Sequence, residues 1–244
     1  MPKEKEISKI FSSIYQKYDL LNDLFSFGIA RLWRKHAANM AIANINRKAQ
    51  VRALDAATGT GDLAIALYNA AKRDRKQISI IGIDINKDML KVARQKAKKK
   101  IKQHVGDIAF IEGNALKTEF RDKSFDIVVS AFALRNFSSL NAFFAEAARI
   151  LKPSGVLVVE DMSVPSGFFK YFFAFYKYII YFIGSFVDRS AYGWLVESIN
   201  MFNTQHAVET TRRYFSSVKF SRLATGMAFM IVAKKPKPKF KHNH

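Results

Sequence analysis

Two glycines and a carboxylate form the segment of this sequence that is best suited to hold a ligand. Asp55 ends an apolar run, and Gly59 and Gly61 follow it in a short turn. Glycine lets a backbone turn sharply and approach a ligand closely. A carboxylate beside such a turn repels a pyrophosphate, but it complements a cationic amino group directly or through water. The segment therefore favours S-adenosylmethionine (SAM), which carries a cationic α-amino group, over a dinucleotide.

Polar residues also follow the next two apolar runs. Asp84 lies 25 residues after Gly59, where an acid can accept hydrogen bonds from the ribose hydroxyls of an adenosine. The alternative is that Asp84 only complements the dipole of the helix that follows, which Asn86 is expected to cap. Asn114 can read the edge of an adenine, with Ala115 leaving room for the ring, or it is an ordinary turn residue.

The elements that must position these residues alternate between short apolar runs and amphipathic segments. Strands are predicted at Val51 to Ala56, Ile78 to Asp84, Ile108 to Glu112, Phe125 to Ala131, Gly155 to Asp161, Val218 to Leu223 and Met227 to Ala233. Helices are predicted at Asp62 to Lys72, Lys87 to Lys102, Leu140 to Leu151 and Val196 to Arg213. This order predicts an α/β, Rossmann-like fold with a doubly wound sheet. From this order together with the SAM-type turn after Asp55, we expect a class I methyltransferase fold. Its mostly parallel seven-stranded sheet carries helices on both faces and an antiparallel C-terminal strand.

Three regions are predicted along the chain. Residues 1–46 form an N-terminal helical cap, with one helix starting near Arg31. Residues 47–234 form the SAM-dependent domain, which contains a helical insertion at about 165–213. Residues 235–244 form a basic, disordered tail because prolines and lysines alternate there. In an open parallel sheet the ligand binds at the carboxyl ends of the strands beside the first strand, which is where the predicted site residues fall.

Composition limits the chemistry. Lysine and arginine number 40 against 20 acidic residues, which gives a net charge of +20. Such a charge attracts nucleic acid or an anionic membrane surface, although a solubility habit of the source organism explains it equally well. The sequence has no cysteine, so disulfides, thiolate catalysis and cysteine-based zinc sites are excluded. No metal site is predicted. No apolar run follows the charged N-terminus, so we expect a cytoplasmic protein, peripheral at a membrane if it meets one.

The run from Phe168 to Ile183 is rich in aromatic residues. It is too short to span a membrane and is interrupted by Lys170 and Lys177. These lysines are seven residues apart and so share one helical face. The segment suits a membrane interface or a cover over a lipid-tailed substrate, and a helix packed on the sheet is the alternative.

Longer motifs carry a resemblance over nearly the whole chain. They are Phe11 to Asn22 (FSSIYQKYDLLN), Arg31 to Lys35 (RLWRK), Phe132 to Asn136 (FALRN), and Tyr192 with Glu197-Ser198-Ile199 and Phe202 to Gln205. The sequence resembles the quinone-ring C-methyltransferases of the UbiE/MenG type. These enzymes make menaquinone and ubiquinone from their demethyl precursors, so the resemblance implies a SAM cofactor and a prenylated quinol substrate.

The resemblance also assigns residues. It implies that Thr60, Asp84, Asn114 and Ala115 contact SAM, and that Ala131 is a small residue lining the cofactor. The chain departs from the family pattern at four positions. Thr58 and Ala133 replace glycines, Asn203 replaces a proline, and Thr225-Gly226 replaces a Gly-Gly pair.

Carbon methylation of a quinol requires a group that stabilises a phenolate or accepts a proton. Arg135 is the predicted catalytic residue, since a guanidinium stays charged and offers several donors to an oxyanion. Asn136 is predicted to orient Arg135 or the substrate. The alternative for Arg135 is a surface ion pair. Tyr15, Tyr18 and Asp19 are expected to close over the ligands or simply to pack, and no general base is assigned.

Two other functions stay open at this stage. A SAM-dependent methyltransferase acting on RNA would use the positive charge for phosphate contacts, and a small molecule other than a quinol is a further option. The second open function is that of a protein with the SAM-dependent fold that does not catalyse methyl transfer. The segments Arg135-Asn136 and Glu197 to Ile199 favour the prenylated quinol, and nucleic acid is the less favoured partner. An oligomer is compatible with the sequence.

Overall fold

The computed structural model describes residues 12, 26, 28–45, 50–101 and 106–238. Its strands are β1 Gln50–Ala56, β2 Gln77–Asp84, β3 Ile108–Glu112, β4 Phe125–Ala131, β5 Leu151–Met162, β6 Phe215–Leu223 and β7 Ala228–Pro236. Its α-helices in these ranges are α1 Ile29–Ala43, α2 Asp62–Arg73, α3 Lys87–Ile101, α4 Leu140–Ile150, α5 Phe169–Met201 and α6 Thr204–Tyr214. Short 3₁₀ helices span Leu134–Asn136 and Ala224–Gly226.

The strands form one seven-stranded sheet in the order β3-β2-β1-β4-β5-β7-β6. Strands β1 to β5 pair in parallel, and β7 runs antiparallel to both β5 and β6. The strand order reverses between β1 and β4, which is where an open sheet leaves a crevice for a ligand. The predicted fold class, including the antiparallel C-terminal strand, is confirmed.

Burial explains why the central strands read as continuous apolar runs. In β4, every residue except the last is buried, because helices cover both faces of the sheet. Ile127 and Val129 pack toward α1 and α2, whereas Val128 packs toward α4 and α6. The carboxyl ends of these strands are therefore held by two hydrophobic layers, and the residues that follow them are positioned precisely.

Three sequence predictions need correction. The fifth strand begins at Leu151 rather than Gly155, because the segment after α4 pairs at once with Phe125. The predicted helix from Val196 to Arg213 is broken, since Asn203 accepts a hydrogen bond from the backbone N–H of His206 through Oδ1 and starts a new helix. The predicted tail from 235 begins too early.

Strand β7 continues to Pro236 and pairs there with Phe215. Lys237 then donates its backbone N–H to the carbonyl of Tyr214 at 2.8 Å. The first residues of the predicted disordered tail are thus part of the sheet edge, and residues 239–244 lie outside the described residues.

The insertion between β5 and β6 is a helical hairpin followed by α6. Asp188 has extended backbone angles inside α5, with φ −160° and ψ 103°, and divides it into a first arm (169–187) and a second arm (189–201). The Asp188 carboxylate accepts a hydrogen bond from the backbone N–H of Ala191 at 2.9 Å, which caps the second arm. Lys177 donates to the Asn200 side chain across the hairpin. Among the described residues, no helix is long and apolar enough to cross a membrane.

Candidate active site

Two cavities meet above the carboxyl ends of the strands. The first, called here the cofactor pocket, lies over β1, β2 and the turn after β3. Its wall contains most of the residues predicted to hold a cofactor: Asp55, Gly59, Thr60, Asp84, Asn114, Ala115 and Ala131. Gly61 lies behind the wall, where an added Cβ would come within 2.8 Å of the Phe110 ring. That glycine serves the turn and its packing.

The turn between β1 and α2 is held open toward the pocket. The backbone N–H of Thr58 donates to the carbonyl of Ile83 at 2.9 Å, and that of Gly59 donates to Asp84 Oδ2 at 2.8 Å. Gly59 has a φ of 54°, which disfavours other residues, and within the described part of the chain a Cβ there would meet nothing within 4 Å. These described residues leave room for a ligand to approach the backbone of the turn.

Asp55 carries the unmatched polar atom of this pocket. Its Oδ2 accepts a 2.6 Å hydrogen bond from Thr58 Oγ1, while the buried Oδ1 has no partner among the residues that the structure describes. Burial raises the pKa of Asp55 to about 7. The threonine that replaces a family glycine thus orients the carboxylate. An unpaired carboxylate oxygen at a ligand pocket fits a cationic amino group, as the sequence predicts.

Asp84 is bonded on both oxygens by backbone groups. Besides Gly59, the backbone N–H of Asn86 donates to Oδ1 at 2.9 Å, and burial raises the Asp84 pKa. Each carboxylate oxygen can accept a second hydrogen bond, so the carboxylate still has room for ribose hydroxyls. The following helix is capped by the side chain of Asn86, whose Oδ1 accepts the backbone N–H groups of Asp88 and Met89.

Asn114 is a turn residue that also lines the cofactor pocket. Its Oδ1 accepts the backbone N–H of Leu116 at 2.8 Å. Its contact with the edge of an adenine stays a prediction. On the far side, Thr60 accepts a 2.8 Å hydrogen bond from Lys96 Nζ, which also pairs with Asp62 at 2.9 Å. Lys96 could not be selected from the sequence, because its partners Thr60 and Asp62 lie on another helix and the turn before it.

The second cavity, called the apolar cavity, has a volume of about 310 Å³. Its wall comes mainly from α1, the 3₁₀ helix Leu134–Asn136 and both arms of the hairpin, and is largely apolar and rich in aromatic residues. Arg34, Phe132 and Asn136 line both cavities, so the two spaces share a boundary. Sequence reasoning did not predict this cavity as such.

Arg135 lies in the wall of the apolar cavity and is buried. Its Nε donates to Asp161 Oδ1 at 2.5 Å, and its Nη1 donates to Ser198 Oγ at 3.0 Å. The alternative of a surface ion pair is therefore wrong, because the ion pair is buried. Asn136 accepts a 2.9 Å hydrogen bond from Trp194 Nε1. This bond joins Asn136 to the hairpin rather than to Arg135.

Two buried charged residues near the site were missed. Arg34 lines both cavities, lies 5.0 Å above the centre of the Phe132 ring and is 3.9 Å from Asp62. Glu160 is fully buried on β5, and among the described residues neither of its carboxylate oxygens has a hydrogen-bond partner; its burial raises the pKa to about 8. Asp55 was chosen because it is an acid at the end of an apolar run. The same criterion would also have chosen Glu160.

The remaining residues with side chains suited to chemistry lie elsewhere. His206, which follows the motif Phe202 to Gln205, is exposed at the start of α6 and lines neither cavity. Tyr15, Tyr18 and Asp19 lie outside the described residues, so their predicted closure over the ligands stays a prediction. No cluster of metal-binding side chains occurs within the ranges that the structure covers.

The sheet order and the pocket at its reversal point define a class I SAM-dependent methyltransferase fold. A SAM-dependent methyltransferase from Thermotoga maritima has the same fold, with a TM-score of 0.58 and 16% identity over 93% of this chain and 99% of that one. A methyltransferase from Haemonchus contortus, solved with S-adenosylhomocysteine, gives a TM-score of 0.59 and 18% identity over 82% of this chain and 52% of that one.

The model of the ubiE/COQ5 methyltransferase family matches residues 1–235, and the chain belongs to that family. It is 39% identical over 228 residues to the ubiquinone/menaquinone biosynthesis C-methyltransferase UbiE of Rickettsia prowazekii, covering 91% of this chain and 89% of the relative. The relative of the same description in Rickettsia felis is 35% identical over 232 residues, covering 92% and 90%. The protein is thus a SAM-dependent methyltransferase, as predicted.

Proposed function

We propose that this methyltransferase transfers the methyl group of SAM to a ring carbon of a prenylated quinol, converting a demethylmenaquinol to menaquinol or a related quinol. The relatives from Rickettsia are described as ubiquinone/menaquinone biosynthesis C-methyltransferases. The observation that carries the proposal is the apolar cavity beside the cofactor pocket, with the buried guanidinium groups of Arg135 and Arg34 in its wall. Such a cavity suits a flat, apolar ring that becomes anionic during reaction.

The cofactor pocket has the groups that SAM requires. Asp55 would receive the α-amino group on its unpaired oxygen, and Asp84 would accept the ribose hydroxyls. Asn114 and Ala115 would border the adenine, with Ala131 on the opposite strand end. When bound, SAM supplies an electrophilic methyl group on a sulfonium. The open space above Gly59 would let the cofactor lie against the turn.

The chain's own contribution to chemistry is placement and charge. A guanidinium has five N–H donors, and the bonds from Arg135 to Asp161 and Ser198 use two of them. These two bonds fix the guanidinium plane, so its other donors can meet a ring oxygen of the quinol without reorganising. A phenolate stabilised in this way increases the nucleophilicity of the adjacent ring carbon.

Water exclusion would come from the aromatic wall. Phe132 separates the two cavities, with its ring 6.3 Å from that of Trp33 and under the guanidinium of Arg34. Asn136 and Trp194 join the 3₁₀ helix to the hairpin. A substrate bound between these groups would displace water from the reacting atoms, which strengthens each polar contact made there.

We also propose that the protein works in the cytoplasm at a membrane surface, because a prenylated quinol resides in lipid. The net charge of +20 supports an anionic surface of this kind. The same charge supports RNA as a second candidate substrate. The aromatic character of the cavity wall favours the quinol.

Methyl transfer from radiolabelled SAM tests the proposal. The purified chain would be incubated in detergent with demethylmenaquinol, with total RNA, and with lipid extract from the source organism. We expect label in the quinol fraction, and the Asp84→Ala variant serves as a cofactor-site control. Label found only in RNA would replace the quinol with the second candidate. If the folded protein binds SAM but transfers label to none of the three samples, the chain has the methyltransferase fold without the proposed activity.

A further inference from the structure

The first arm of the hairpin exposes one continuous apolar surface. Its members, called here the aromatic face, are Phe168, Phe169, Tyr171, Phe172, Phe175, Tyr178, Phe182, Ile183 and Phe186. At 100° per residue they fall within about 180° of the helix circumference. Exposure is high along the whole length, from 81% at Phe168 to 79% at Phe186. Eight of the nine are aromatic, and isolated exposed apolar residues do not produce such a patch.

The aromatic face is continuous with the apolar cavity. Phe172 is 58% exposed and also lines that cavity. On the inner side of the same arm, Phe173 and Ile180 are buried and line the cavity too. One helix therefore borders the cavity with one side and presents aromatic rings to the exterior with the other, and Phe172 lies where the two meet.

Charge distinguishes between an anionic bilayer and a second copy of the chain as the occupant of this face. Residues 168–187 contain no aspartate or glutamate. Lys170 near the start and Arg189 just beyond the end of the arm are exposed. Long cationic side chains beside aromatic rings reach lipid phosphates while the rings enter the acyl boundary. Two copies of a chain with a net charge of +20 would repel each other.

We propose that the aromatic face docks onto an anionic phospholipid bilayer and that Phe172 marks the opening through which the lipid-tailed substrate enters the apolar cavity. The docking part depends only on the surface, whereas the entry part rests on the proposed quinol function. The helix would lie in the plane of the interface, with its rings below the phosphates. The cavity would then open toward lipid, so a prenyl tail could stay in the bilayer while the ring reaches Arg135.

Vesicle sedimentation of the full chain tests docking without quinol or SAM. Vesicles of phosphatidylcholine would be compared with vesicles that also contain phosphatidylglycerol. The test variant is Tyr178→Ser/Phe182→Ser, because these stacked rings belong to the face but not to the cavity wall. The matched control is Ile111→Ser/Phe220→Ser, two exposed apolar residues on the edge strands of the sheet.

We expect the test variant to bind anionic vesicles at least tenfold more weakly than the wild type, and the control to bind as the wild type does. Equal binding by both variants would overturn docking. A second result would also overturn docking. If the wild type does not bind vesicles and elutes as a dimer in size-exclusion chromatography, and the test variant elutes as a monomer, the aromatic face belongs to a second copy of the chain. Unchanged SAM affinity in the variants verifies that they are folded.

Turnover separates entry from docking. The test variant should lose turnover with a long-tailed quinol in vesicles but keep it with a quinol that has a short tail and dissolves in water. Equal loss with both quinols would overturn the entry route. Failure of the proposed function would be seen differently, as absent methylation of the soluble quinol by the wild type, a reaction in which no vesicle takes part.

Discussion

The cofactor pocket takes its residues from the ends of parallel strands, whereas the apolar cavity takes most of its wall from helices that are distant in the sequence. Asp55 and Asp84 lie at the carboxyl ends of the adjacent paired strands β1 and β2, so the sheet alone brings them together. Arg34, Arg135 and Trp194 meet only because α1, a 3₁₀ helix and the hairpin fold over the same strand ends. The two cavities nevertheless share a boundary.

This difference has a mechanical consequence. Residues of the cofactor pocket are held by the sheet, whose central strands are buried on both faces. Residues of the apolar cavity depend on how the hairpin packs and on the ion pair between Arg135 and Asp161. We therefore expect substitutions in the cofactor pocket to affect SAM binding. Substitutions in the apolar cavity should affect turnover or substrate affinity while SAM binding is unchanged.

Asp84→Ala tests the first half of that expectation and should have the largest effect. The substitution removes the proposed ribose contacts and also the acceptor of the Gly59 backbone N–H. We expect the Kd for SAM to rise by about two orders of magnitude, since hydrogen bonds to a charged group contribute about 1.5–3 kcal/mol. Isothermal titration calorimetry measures it. Asp74→Ala, an exposed position at the end of α2, is the control. Unchanged SAM affinity in folded Asp84→Ala protein would remove Asp84 from the site.

Arg135→Lys tests the expectation that substitutions in the apolar cavity change turnover and leave SAM binding unchanged. Lysine keeps the charge but cannot hold Asp161 and Ser198 while it also presents a planar fork of donors to the substrate. We expect turnover of the quinol to fall more than tenfold with little change in the Kd for SAM. Steady-state kinetics and calorimetry give the two values.

Ser198→Ala provides the companion measurement for Arg135. It removes one bond to the guanidinium and leaves the ion pair with Asp161. If Arg135 acts on the substrate, this variant should lose less turnover than Arg135→Lys at comparable thermal stability. A fully active Arg135→Lys enzyme would contradict the catalytic assignment and leave the SAM site unaffected.

The sequence was sufficient for the sheet and for most of the cofactor pocket. Apolar runs of strand length, each ending at an acid or a turn, predict both where the chain enters the core and where it leaves it. The ends of β3 and β4 were predicted to the residue. The predicted start of β5 and the predicted end of β7 were wrong. At Leu151 and Pro236, pairing between strands, and not local composition, determines how far the strand extends.

The apolar cavity could not be predicted in the same way. The aromatic run in the first arm shows a helical pattern, but nothing local indicates the reversal at Asp188 that turns it back as a hairpin. Glu160 and Arg34 could have been selected individually, as an acid at a strand end and as part of a motif. Their proximity depends on α1 packing across β5, which is a tertiary contact.

The pH dependence of SAM binding sharpens the role assigned to Asp55. Burial raises its pKa to about 7 in the free protein, well above the ordinary pKa of an aspartate. A cationic amino group favours the ionised carboxylate, so SAM binding below that pKa must release a proton and weakens as the pH falls. We expect binding roughly tenfold weaker at pH 6 than at pH 7.5. In Asp55→Asn the affinity should be lower and should not change over this range. A pH dependence of equal size in Asp55→Asn would assign the titration to another group.

Gly184→Ala should have the smallest effect and should act on the apolar cavity alone. An added Cβ at Gly184 would overlap the ring of Tyr192, which lines the cavity, so the two arms must move apart slightly. Gly193→Ala is the matched control in the same hairpin, because its Cβ would lie 3.8 Å from Tyr181 in ordinary contact. Both substitutions raise helix propensity by similar amounts, so the difference between them reports the overlap.

We expect the KM for the quinol to rise about threefold to fivefold in Gly184→Ala relative to Gly193→Ala, with equal SAM affinity, because small shifts of the wall misplace the ring. Equal KM values in the two variants would show that the hairpin does not shape the substrate site, and the contrast between a cavity built by the sheet and one built by helices would lose its functional meaning.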